Sequence, residues 1–198
     1  MAMNQGNLNQ GSFFEVFLTL LKGIFDFENQ IVDGLPKVIK AATNPELKDA
    51  LSQHLDETKN QVQRLKKIFK MLNENPTGKP CPAMQGMMQE AQEVISKNTS
   101  PNVKDANLII CCQQVEHYEI ASYGSARTLA RHLHDAQVSD RVDFDEIADL
   151  LQQTLDEESA ADEKLTDIAE GGFFSQGIND EAEKEQTQTT TKKRNPAQ

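Results

Sequence analysis

Ile109-Ile110-Cys111-Cys112-Gln113-Gln114-Val115-Glu116-His117-Tyr118-Glu119-Ile120-Ala121-Ser122-Tyr123-Gly124 is the stretch on which the fold class turns. Residues 109, 112, 116, 120 and 123 recur at intervals of three and four, the period of one helix face. That face is apolar except at Glu116. Working outward, Ser100 and Pro101 open this helix, and it is expected to run to about residue 134.

Three further long helices show the same period. Helix A is expected over 12–42, opened by the capping box Ser12-x-x-Glu15 and carrying Phe17, Leu21, Ile24, Ile31, Leu35 and Val38. Gly34 and Pro36 fall inside it and predict a kink or break. Helix B starts at Asn44-Pro45, buries Leu51, Leu55, Val62, Leu65, Phe69 and Leu72, and is ended by Asn75-Pro76-Thr77-Gly78. Helix D opens at Asp143 and Glu146, carries Ile147, Leu150, Leu151, Leu155, Leu165 and Ile168, and stops at Gly171-Gly172. A short helix is expected over 84–96. The tight A–B turn makes antiparallel neighbours, and the long B–C connection reads as a crossover. The fold class is therefore all-α, a ferritin-like antiparallel four-helix bundle with a short extra helix in the B–C crossover. Residues 1–11 read as a flexible arm, 12–172 as the bundle domain, and 173–198 as a disordered polar tail.

Composition narrows the function classes. The chain of 198 residues carries a formal net charge of -11, which opposes phosphate backbones and predicts no nucleic-acid partner. Lys192, Lys193 and Arg194 are its one cationic run. No apolar stretch is long enough to span a bilayer, and Glu15 and Lys22 interrupt the N-terminal apolar segment, so neither a membrane anchor nor a signal peptide is expected. Cys81, Cys111 and Cys112 are odd in number and two are adjacent, which fits a reducing cytoplasm better than a disulfide framework. Trp is absent and aromatics are 6%. There is no Gly-rich phosphate loop, no Cys-x-x-Cys and no Gly-x-Ser-x-Gly.

The informative residues are the polar ones on apolar stripes. Glu28 interrupts the stripe of helix A, Glu116 that of helix C and Glu158 that of helix D, while helix B places His54 and Thr58 there. An ionised carboxylate is expensive to bury unless paired or bound to a cation. Several in one layer must hold protons or share a metal. Hard oxygen ligands with an imidazole suit iron or manganese. Glu57 beside His54, Glu119 beside Glu116, and Asp162 one turn after Glu158 extend the set, with Gln61 and Glu90 as accessory groups. The register leaves open whether Glu157 or Glu158 faces inward. Taken singly, each charge reads as the solvated edge of a stripe; taken across four helices, the pattern reads as a site. His117, His132 and His134 read as surface residues, Met84, Met87 and Met88 as core filling, and Cys111 and Cys112 as buried small hydrophobes. His54-Leu55-Asp56-Glu57 is echoed by Thr154-Leu155-Asp156-Glu157, a weak sign of a duplicated helix pair.

The chain resembles the YciE/YciF family of bacterial ferritin-like proteins. The resemblance is carried by Phe25-Asp26-Phe27-Glu28, Leu35-Pro36-Lys37, His54-Leu55-Asp56-Glu57-Thr58, Cys81-Pro82-Ala83-Met84 with Gly86, Val115 to Gly124, and Leu155-Asp156-Glu157-Glu158 with Asp162-Glu163-Lys164-Leu165. It implies a rubrerythrin-like bundle, a bacterial cytoplasmic setting, an association with stress responses, a homodimer, and a di-iron centre between the helices. Glu116-x-x-Glu119 is similar to the paired glutamates on the third helix of rubrerythrins. The Glu-x-x-His usual on helices B and D is missing: helix B has His54-x-x-Glu57 and helix D has no histidine. The centre is then carboxylate-rich, holds one metal, or has been lost.

Two functions follow as expectations. One is a stress-associated protein binding iron or manganese through Glu28, His54, Glu57, Glu116, Glu119 and Glu158, with redox activity toward peroxide or oxygen. The other is a non-enzymatic stress or interaction protein whose inward carboxylates are protonated or paired, with Arg127 as a counter-charge.

Overall fold

The structure is a computed structural model that describes residues 12–171 and 176–194. Every regular element among them is an α-helix: α1 Phe13–Ala41, α2 Pro45–Met71, α3 Pro82–Ser96, α4 Pro101–Asp135, α5 Phe144–Glu170 and α6 Ile178–Arg194. None of the helices is long and apolar enough to cross a membrane.

Local chemistry sets the helix starts. Ser12 Oγ accepts from Glu15 N at 3.2 Å, Asn44 Oδ1 from Leu47 N at 3.1 Å, and Asp143 Oδ1 from Glu146 N at 2.9 Å. Each bond satisfies a first-turn N–H that has no partner within the helix. Pro45, Pro82 and Pro101 stand in the first turns of α2, α3 and α4, where the missing N–H is harmless.

The long helices close a ring of neighbours: α1 packs on α2, α2 on α5, α5 on α4, and α4 on α1. All four pairs are antiparallel. The end of α1 meets the start of α4 where Asp105 binds Thr43, and the start of α1 meets the end of α4 where Phe13 stacks edge-on to His132. In α2 and α5, Glu46 meets Lys164 and Lys67 meets Glu146. Helices α2 and α4 therefore run the same way on a diagonal, and the chain between them must travel the length of the bundle. Helix α3 lies in that crossover and packs on α1 and α4. Its entry is tied down where Asp26 Oδ2 accepts from Cys81 N at 2.9 Å, and Met84 is fully buried behind it. The core runs from Phe17 and Phe144 at one end to Leu47 and Leu108 at the other.

Two expectations are corrected. Helix α1 passes through Gly34 and Pro36 without a break. Pro36 is exposed, so the carbonyl it leaves unpaired can be solvated, while Leu35 and Val38 on either side are buried. Gly34 makes a close contact: a Cβ there would lie 2.7 Å from Met88 Sδ of α3. The second concerns 173–198, expected to be disordered. Helix α6 forms over 178–194 and packs on α4 and α5. Ile178 and Ala182 are its buried anchors, and Asn102 of α4 donates to Glu185 at 3.0 Å. Two apolar contacts in a polar segment are too few to register in composition. The arm 1–11 lies outside the described residues.

Asp105, which no sequence signal singled out, is fully buried at the junction of α1, α2 and α4. It accepts from Thr43 N at 2.8 Å, Thr43 Oγ1 at 2.6 Å and Asn44 N at 2.7 Å. Replacing it by Ala strands these donors, so Asp105→Ala should lower unfolding stability by about 2–4 kcal/mol. Urea denaturation checks this; a loss below about 1 kcal/mol would mean that the turn is held by other contacts.

Candidate metal centre

The middle of the bundle is polar. Glu28 of α1, Thr58 and Gln61 of α2, Glu116 and Glu119 of α4, and Thr154 and Glu158 of α5 are all almost completely buried, and His54 of α2 is 6% exposed. These positions follow from the stripes: each polar residue replaces an apolar one on the face its helix turns to the core.

His54, Glu116, Glu119 and Glu158 each offer one ligand atom, and these atoms all lie within 4.8 Å of one another. His54 Nε2 is 3.4 Å from Glu116 Oε1 and 3.9 Å from Glu158 Oε2. Glu28 is near enough to Glu119 and Glu158 to repel both. Of the six residues expected at the site, Glu57 stands at the margin. It is one-third exposed, 3.9 Å from His54 Nδ1, and accepts from Gln53 at 2.9 Å. The register is resolved: Glu158 faces the core, and Glu157 faces Arg64.

Surrounding donors hold the carboxylates from one side. Tyr123 Oη donates to Glu28 Oε1, and Gln61 Nε2 donates to Glu158 Oε1. Gln61 also reaches Glu157 Oε2 at 3.1 Å, and Arg64 grips that carboxylate with two bonds of 2.9 and 2.8 Å. In both Glu28 and Glu158 the second oxygen has no hydrogen-bond partner. The same is true of Glu116 Oε2, both oxygens of Glu119 and both ring nitrogens of His54. Seven orphaned ligand-type atoms in one buried chamber are costly to a fold, since each forfeits its solvation without a replacement.

Protons relieve part of that cost. Burial pushes Glu28 from 4.5 up to about 8, and the Glu158 carboxyl adds to the rise. Burial holds Glu116 and Glu119 well above the usual carboxylate range and raises Glu158. For His54, burial favours the neutral ring, but Glu116, Glu57, Glu158 and Glu28 outweigh it and raise the ring to about 10. Burial thus favours protons on the carboxyls, and whichever of them ionises favours the charged form of the His54 ring. Burial and the adjacent Glu28 raise Tyr123 well above 10, so it remains a donor. The His54 ring, 3.9 Å away, lowers Glu57, which stays ionised at the edge.

The proposed counter-charge Arg127 is corrected. It donates to Gln152 of α5, and the arginine beside the site is Arg64. Arg64 was legible in hindsight, since 54, 57, 61 and 64 share one face of α2. Asp162 sits 3.1 Å from exposed His117, Glu90 is exposed on α3, and neither contributes to the four-atom cluster. His132 and His134 are exposed as expected, and Met84 and Cys112 are buried.

The donor set fits a hard or borderline divalent cation. It offers carboxylate oxygens and one imidazole, without thiolate, in a site closed to bulk water on most sides. The chain is similar to proteins of known sequence and structure. A family described as a domain of unknown function, DUF892, matches residues 12–183. Protein YciF of Escherichia coli K12 is 39% identical over 163 residues, which are 82% of this chain and 93% of that protein. The crystal structure of the E. coli stress protein YciF superposes with a TM-score of 0.73 at 38% identity, covering 80% of this chain and 95% of that one. YcfI of Rhodopseudomonas palustris gives 0.74 at 36% identity, covering 84% and 99%.

The proton ledger makes a prediction for the metal-free protein. A group whose pKa rises on folding lends stability that is complete below its unfolded pKa and is lost as pH climbs through the folded one. For Glu28 that window is 4.5 to about 8, and for His54 it is 6.5 to about 10. The melting temperature of chelator-stripped protein should fall steadily from pH 5 to pH 9. Glu28→Gln should flatten the lower half of that slope. A wild-type profile that is level over this range would contradict the assignment.

Proposed function

The chain belongs to the DUF892 family, and from that premise we propose that it is a stress-associated protein that binds iron or manganese in the His54, Glu116, Glu119, Glu158 cluster, with Glu28 as a further ligand. The observation that carries this reading is one-sided support. Tyr123 and Gln61 each fix one oxygen of a buried carboxylate and leave the other free toward the cluster. Groups that orient a ligand oxygen from behind are what a metal site requires around its ligands. The stress association is supported by the similarity to the E. coli stress protein YciF.

The residues divide the work. Glu116 and Glu119, one helical turn apart on α4, present two carboxylates from one rigid element. Glu158 faces them from α5 and His54 from α2, so the packing of α5 against α2 and α4 sets the spacing. Arg64 locks Glu157 out of the cluster and keeps Gln61 aimed at Glu158. The carboxyls and the His54 ring hold protons in the empty state and would release them when a cation takes their place, so binding tightens as pH rises. A bound iron or manganese ion would supply Lewis-acid and one-electron chemistry toward peroxide or dioxygen. Tyr123 would keep its proton and hold Glu28 in place throughout.

A second reading has a specific observation behind it. The imidazolium of His54 partly balances the carboxyls with no metal, which would let a non-enzymatic relative keep the fold. Thermal melting separates the two. Manganese(II) or, anaerobically, iron(II) at a hundredfold excess over its Kd should stabilise the protein by about 2.7 kcal/mol. The gain should vanish in the Glu116→Ala, Glu119→Ala double variant. Melting that is indifferent to both metals and to chelator would favour the second reading.

A further inference from the structure

The ring of helices is not equally tight all round. Along the α2–α5 seam the lining includes three small side chains, Ala50 on one side and Ala160 and Ala161 on the other. A cleft of about 910 Å³ opens there and reaches inward to His54 and Glu116. Ion pairs stitch the seam elsewhere, Arg64 to Glu157 at 2.8 Å and Lys67 to Glu146 at 2.7 Å. Outward of His54 and Glu116 the cleft walls carry six carboxylates, Glu46, Asp49, Glu57, Asp149, Asp156 and Glu157, against one lysine, Lys164. Lys164 is itself bound by Glu46 at 2.5 Å.

We infer that this seam is the gate through which a divalent cation enters and leaves the cluster. The inference rests on the reading of the cluster as a cation site. An acidic rim alone would say little, because exposed carboxylates are common. Here the cleft ends on His54, whose ring nitrogens have no hydrogen-bond partner, and on Glu116 Oε2, which also has none; both side chains are more than nine-tenths buried. Another void among the described residues also touches these two side chains. It holds about 30 Å³ and is lined by Ile31, Leu35, Met88, Cys112 and Val115. Apart from His54 and Glu116 themselves, that side offers a hydrated ion two thiols and no carboxylate, whereas the acidic cleft offers carboxylates stepwise, rim first, then Glu57, then His54 and Glu116. A cleft walled by one sign of charge also concentrates counter-ions and speeds their capture.

Uptake kinetics test the gate on the full chain. Chelator-stripped protein is mixed with cobalt(II), and the rise of its visible absorbance is followed by stopped flow. Two variants act by different means: Asp49→Lys with Asp156→Lys reverses rim charge, and Ala161→Leu narrows the passage. Asp33→Lys with Asp135→Lys, away from the cleft, controls for net charge. At low salt both gate variants should fill about tenfold more slowly than wild type, and the control within about twofold. All should reach the same final stoichiometry. Added salt should narrow the deficit of the charge variant and leave that of Ala161→Leu. Equal filling rates in all four chains overturn the gate while leaving the cluster intact. A wild-type chain that takes up no cobalt overturns the cluster reading, and the gate with it.

Discussion

Four carboxyls and an imidazole share the water-poor middle of this bundle, and the rest of the structure is arranged around that burial. Such a layer opposes folding, because each charge loses its hydration and like charges lie within a few ångströms. The surrounding shells answer in a definite order. Apolar layers at both ends of the bundle supply the driving force, from Phe17 and Phe144 to Leu47 and Leu108. Tyr123, Gln61 and Arg64 then fix the carboxylates from behind. What remains is a set of unpartnered oxygens and nitrogens that converge on one point.

The topology serves this layer. Because α2 and α4 run parallel on a diagonal, every adjacent pair is antiparallel and each long helix contributes its middle to the same level. The crossover that allows this is held by Asp26 at Cys81 and by the close approach of Met88 to Gly34. The far turn is held by Asp105. Both anchors are polar or steric details outside the centre, yet they fix how α1 and α4 face each other and so where Glu28 and Glu119 meet.

Much of this was legible in the sequence, for a physical reason. Apolar period in α1, α2, α4 and α5 states which face is buried, and a carboxylate on that face is conspicuous because burying it is costly. Glu28, His54, Glu116 and Glu158 interrupt their stripes, and they lie buried where the stripes put them. Glu119 came from its spacing to Glu116, and Glu57 from its spacing to His54; the structure gathers the first into the cluster and leaves the second at the edge. Spacing alone cannot separate the two, since one helical step spans both a core and a rim position. Less legible were features that depend on pairing across helices. Arg64 rather than Arg127 stands by the site, Asp105 binds a turn 62 positions away, and α6 docks through Ile178 and Ala182. No local pattern encodes such partners. Pro36 misled for the opposite reason: its local rule is strong, but an exposed position inside a well-anchored helix tolerates it.

On this reading the buried carboxylate layer exists to hold a divalent cation. The most direct measurement is elemental analysis of the full chain purified without chelator, expressed per mole of protein. The account predicts one to about two equivalents of iron or manganese, lost together when Glu116 and Glu119 are removed. Metal-free protein that also takes up neither ion on anaerobic reconstitution would contradict it, and the layer would then be a protonated structural core.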